Sequence, residues 1–131
     1  MNRMASESWL LVGGLVAIVV AVVHSVLGEV LIFQRMRKET IVPTQGQPVL
    51  RERYVRILWA TWHIVSVFGL AIAGVLIFMS LYPVTDVRGL FLRAVAISMG
   101  VSSALVLFAT KGMHPGWVGL LIVSISAAMA F

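Results

Sequence analysis

Four long apolar runs, at residues 9–33, 57–81, 90–109 and 117–131, constrain this chain more than anything else in it, because a soluble fold of this size has no room to bury them. The first two are 25 residues long, the third 20 and the fourth 15. A helix needs about 20 residues, at about 1.5 Å rise each, to cross a bilayer. Three runs therefore suffice as they stand, and the fourth reaches the lower limit if its helix starts at Pro115. Charged residues make up only 11% of the chain, against about 25% in an average soluble domain, and few of them interrupt the runs. The expected object is an all-α transmembrane four-helix bundle, up-down-up-down, forming one membrane domain over residues 1–131. Its spans are expected near 9–33, 52–81, 90–110 and 115–131, with a loop at 34–47.

The ten basic residues are placed unevenly. Arg35, Arg37, Lys38, Arg51, Arg53 and Arg56 lie between the first two runs and Lys111 between the last two, whereas Arg3, Arg88 and Arg93 fall at the opposite ends. The positive-inside rule then predicts that residues 34–56 are cytoplasmic and both termini are on the outer side of an inner membrane. The formal charge of +5 is accounted for by anionic lipid headgroups, each basic residue near the surface contributing about 1 kcal/mol, and no nucleic-acid partner is expected. The first run is too long for a signal-peptide core and leads into no polar mature start, so it reads as a retained span.

Small residues mark the faces on which membrane helices approach closely. In the first run Gly14, Ala17, Ala21, His24, Ser25 and Gly28 share one side of a helix. In the second, Trp59, His63 and Ser66 share a face, with Trp62, Gly69 and Ala73 beside it. The third has Ala94, Ser98, Ser102 and Ala109 in register, and the fourth Gly116, Gly119, Val123, Ala127 and Ala130. Ser6 or Ser8 is placed to cap the first helix. Pro48, after Gln47, fits the first turn of a second helix that continues through the amphipathic stretch to Arg56.

The residues that carry chemistry collect at one depth. His24, Glu29, His63 and His114 all fall between the middle of the bundle and its basic end, near Arg53, Arg56, Trp59, Trp62 and Trp117. Glu29 is the only acid inside a run, and partnership with Arg53 or Arg56 is expected for it. Two readings of the histidines stand open. As ligands, His24 and His63 on facing helices would hold a haem iron, or a transition metal with Glu29 or His114; as glue, they would hydrogen-bond to serines and backbone carbonyls. No two of them share a helix face, which favours glue and no cofactor. The tryptophans are expected as anchors at headgroup level. Cysteine is absent, which excludes thiolate ligands and disulfides, and no paired carboxylates, Ser/His/Asp set or phosphate loop is present.

The ordered set His24-Ser25-x-x-Gly28-Glu29, Trp62-His63 and His114-Pro115-Gly116-Trp117 resembles a loose group of small bacterial four-span membrane proteins. That resemblance covers roughly residues 20–120, implies the same fold and brings no activity with it. Small multidrug transporters are also similar in size and carry one glutamate in their first span, which would make Glu29 the switch of a dimeric proton-coupled transporter. Here the acid sits nearer the basic end and its neighbours differ. The leading expectation is a non-enzymatic protein that works by association, with itself or with other membrane subunits. Cysteines introduced at Gln45 and Asp86 are expected to label from the cytoplasmic and the outer side respectively; labelling of both from one side would overturn the alternation of spans.

Overall fold

The computed structural model describes residues 3–46 and 50–130, with side chains from residue 6 onward. Four α-helices are present among them: α1 (Arg3–Leu31), α2 (Glu52–Leu81), α3 (Val87–Thr110) and α4 (Gly116–Ala128). The first three are long and apolar enough to cross a membrane. At 13 residues, α4 is about 20 Å long, less than the roughly 30 Å hydrocarbon core. Packing runs in chain order, α1 on α2, α2 on α3 and α3 on α4.

The pairing of α1 with α2 follows from backbone proximity. Gly14, Ala21 and Gly28 recur every seven residues and are all buried against α2. A side chain on Gly14 would meet Ile77 and the Ala73 carbonyl, Gly69 lies across from Ala21, and Gly28 lies flat against the Trp62 indole. Small residues on both helices thus allow a close antiparallel approach, and the large ring fills the space left at one end. At the other end Ser80 Oγ donates to the Glu7 carbonyl at 2.8 Å.

Helix ends account for much of the remaining geometry. Asp86 caps α3, its carboxylate accepting the Gly89 N–H at 2.7 Å, and a side chain on Gly89 would strike that carboxylate. Because Asp86 carries this cap, neighbouring Thr85 is the better labelling position in this turn. At the far end Lys111 and Gly112 both take positive φ, 53° and 76°, and the Gly112 N–H returns to the Leu107 carbonyl at 3.0 Å, a Schellman ending that reverses the chain into α4. Arg56, only 5% exposed, donates to the Ala109 carbonyl at 3.0 Å and pairs with Glu52 at 2.7 Å. A cation thus meets an unsatisfied carbonyl in the last turn of α3 and links α2 to it.

Several expectations change. Since α1 extends from Arg3, Ser6 and Ser8 lie inside it rather than at its start. Pro48 and Gln47 lie outside the described residues, and α2 begins later, at Glu52, after an extended Arg51; the Leu50 N–H is held by the Gly46 carbonyl at 2.7 Å. The loop after α1 is folded rather than open. A 3₁₀ turn (Phe33–Met36) leads to a strap whose Thr44 and Gln45 N–H groups both donate to the Met36 carbonyl, and whose Val42 and Pro43 are buried. Phe33, Val42, Trp59, Ala60, Val106 and Ala109 form one core at this basic end. The inward face of α4 also differs. Ser124 donates to the Ala96 carbonyl and Ser103 to the Trp117 carbonyl, each at 2.7 Å, and these bonds turn Gly119, Val123 and Ala130 outward while Ala127 stays buried.

Gly28→Ala is expected to destabilise the fold by about 1–3 kcal/mol through overpacking against Trp62. Gly74→Ala, where a side chain meets nothing within 4 Å, is expected to be neutral or stabilising by up to about 1 kcal/mol. Unfolding in mild detergent compares the two, and equal losses would mean that the α1–α2 seam is placed wrongly.

Candidate functional site

The polar residues of α1 and α2 meet on the seam, near its basic end. Ser25 lies one turn before Glu29 on α1, and Trp59, His63 and Ser66 lie on the facing side of α2, so antiparallel packing brings the two sets together. Ser25 Oγ donates to Ser66 Oγ at 2.8 Å and lies 2.9 Å from His63 Nδ1. The other imidazole nitrogen, Nε2, faces Glu29 Oε2 at 3.4 Å. That same oxygen accepts the Trp59 indole N–H at 3.1 Å, while Glu29 Oε1 forms an ion pair with Arg37. The result is a line of neighbouring polar groups, Ser66, Ser25, His63, Glu29, Arg37, running from inside the helices to their basic end, in which His63 Nε2 is buried beside the carboxylate without a hydrogen bond. Both serine hydroxyls rotate, so which group donates along the line depends on the tautomer of the imidazole.

Aromatic rings enclose this line. The Trp59 ring stands edge-on to His63 with centroids 4.7 Å apart, and Phe33 lies on a second side at 6.3 Å. His24 sits apart from it. Its ring stacks on Trp62 at 4.4 Å, nearly parallel at 7°, and the Trp62 N–H donates to the His24 carbonyl at 3.0 Å. His24 Nε2 is buried without a hydrogen-bond partner. It borders a groove of about 200 Å³ whose other walls include Ala17, Ala21, Ser66 and Gly69.

The expected site residues therefore divide. Glu29, Trp59 and His63 come together, with His24 and Trp62 stacked beside them. His114 does not join them; it lies in the turn before α4, its Nδ1 accepting the Gly116 N–H at 3.1 Å. Trp117 donates to the Gly112 carbonyl at 3.2 Å and closes the same turn. Among the described residues no group of three or more His, Cys, Asp or Glu side chains is placed to hold a metal ion.

Two readings are corrected. The cation on Glu29 is Arg37, while Arg56 is engaged by Glu52 and Ala109 and Arg53 donates to the Tyr54 hydroxyl at 2.6 Å. Arg37 reaches back because the 3₁₀ turn bends the chain immediately after α1. Trp59 and Trp62 are not headgroup anchors: Trp59 is buried at 7% exposure and both indoles have internal acceptors. Ser25 as the link between His63 and Ser66 is the residue whose role the sequence left unassigned; its signal is its place one turn before Glu29 on the inward face.

Compared with protein-family models, curated proteins and solved structures, the chain finds no match.

A double-mutant cycle over Glu29→Gln and Arg37→Gln is expected to give a coupling of about 0.5–3 kcal/mol, whereas Glu29→Gln with Arg53→Gln is expected to be additive within about 0.5 kcal/mol. Unfolding free energies in detergent supply both, and coupling to Arg53 instead would overturn the assignment.

Proposed function

We propose that the chain is a small, non-enzymatic, multi-pass protein of the inner membrane that works by association, as an oligomer or as an accessory subunit of a larger membrane complex. The observation that carries this reading is the polar line on the α1–α2 seam. Ser25, Ser66, His63, Glu29, Trp59 and Arg37 use one another as partners, which is how interhelical glue behaves in a bilayer. A haem or metal held by His24 and His63 would need both imidazoles to share one space, whereas His63 lies against Ser25 and 3.4 Å from Glu29 while His24 is stacked on Trp62. A transport switch needs a carboxylate that a substrate can reach, and Glu29 is already met by Arg37, Trp59 and His63.

With the polar groups of the seam turned inward, what α1 offers its surroundings is apolar. The outer side of α1 presents Val12, Val16, Val19, Val23, Val26 and Val30, all about half exposed. Packing in chain order also leaves α1 and α4 with a single close helix neighbour each. The basic bias supports a cytoplasmic basic end.

The test is native mass spectrometry of the full chain released from membranes in mild detergent, with optical and metal analysis of the same sample. The expected result is a discrete oligomer or a partner chain at fixed stoichiometry, retained in His24→Gln and His63→Gln, without a Soret band or stoichiometric metal. A monomer with no partner overturns association. A haem or metal present at one per chain and lost in both variants replaces it with cofactor binding.

A further inference from the structure

A second group of polar side chains, separate from the seam, lies where α2 begins beside the turn between α3 and α4. Two adjoining hollows of about 390 and 300 Å³ share Arg53, Arg56 and Met113 as walls. The larger adds Tyr54, Ile57 and His114; the smaller adds Arg51 and Glu52. Three arginines against one glutamate leave two positive charges on this cleft, and the first turn of α2 adds the positive end of its helix dipole.

We propose that this cleft binds the phosphate headgroup of an anionic membrane phospholipid. Arg53 stands at the rim: its guanidinium lies 4.7 Å from the Tyr54 ring centre and donates one of its five N–H groups to the Tyr54 hydroxyl, leaving the others for an anion. Arg56 is fixed at the back by Glu52 and the Ala109 carbonyl, so the back wall of the cleft is set before any anion arrives. A planar guanidinium suits phosphate oxygens. The choice of a lipid over a soluble anion rests on the walls and the location. Ile57 and Met113 give the cleft an apolar part that glycerol and the upper acyl chain can cover, and Ile57 opens the apolar run of α2, which sets the cleft at the depth of the headgroups.

The inference depends on the membrane placement proposed above but not on association. Failure of the placement appears in cysteine labelling, whereas failure of the lipid site leaves the labelling pattern intact. The test is native mass spectrometry of the full chain titrated with phosphatidylglycerol, with phosphatidylcholine of the same acyl chains, and with inorganic phosphate alone. The expected result is one phosphatidylglycerol per chain, bound at least about fivefold more tightly than phosphatidylcholine, which is the factor that one basic residue near the surface contributes. Arg53→Gln and Arg51→Gln should each remove about that factor, while Arg35→Gln, at the same end of the molecule but outside the cleft, should not. Equal binding of the two lipids overturns the proposal. So does an equal loss in Arg35→Gln, which would mean diffuse surface charge, or displacement of the lipid by millimolar inorganic phosphate, which would mean a soluble ligand.

Discussion

The structure depends on how closely α1 and α2 approach. In a bilayer the tails outside the protein are as apolar as the side chains within it, so hydrophobic burial gives helices little reason to pair. Attraction has to come from van der Waals contact at short range and from hydrogen bonds that lipid cannot replace. Gly14, Ala21 and Gly28 provide the first by removing side-chain bulk from one stripe. Their spacing matters as much as their size, since a seven-residue recurrence keeps the stripe in line with an antiparallel partner. Trp62 then turns the closeness into register, because its indole fits over Gly28 and its N–H finds the His24 carbonyl.

That register is what allows the polar line to form. A slip by one helical turn would separate Ser25 from His63 and Glu29 from Trp59, leaving each without a partner where desolvation makes an unmet polar group costly. Packing and polar pairing thus select the same alignment. The polar line also connects the seam to the strap after α1, because Glu29 meets Arg37 just beyond the 3₁₀ turn. The strap in turn places Val42 in the core with Ala109 of α3, so the basic end is knit across three helices.

Much of this was legible in the sequence for a simple reason: helical periodicity projects residues onto faces without reference to anything distant. Gly14, Ala21, Ser25 and Gly28 fall on one side of α1, and Trp59, His63 and Ser66 on one side of α2, by arithmetic alone. What failed depended on the path of the chain between helices or on rotation about an axis. Arg37 was hidden behind a 3₁₀ turn that no periodic signal announces. Indole prefers the headgroup level and also prefers a buried acceptor, and only the position of the His24 carbonyl and of Glu29 decides between the two for Trp62 and Trp59. In α4 the small residues suggested one face, whereas the hydrogen bonds of Ser103 and Ser124 chose another. A helix of this length and uniform hydrophobicity has little else to fix its rotation.

Packing in chain order has a bearing on how the molecule is made. Each helix rests mainly on the one synthesised before it, so a growing chain meets its partner surface almost as soon as the next segment emerges, and the contacts stay local in the sense that favours rapid folding. The α1–α2 hairpin, with its glycine stripe and serine–histidine line, is complete in its mutual contacts before α3 exists. Val106 and Ala109 reach the strap and Phe33 only when the third helix has arrived, and α4 joins last through two serine hydroxyls. The order of packing thereby follows the order of the helices, and the exposed valine face of α1 belongs to the first hairpin to be complete.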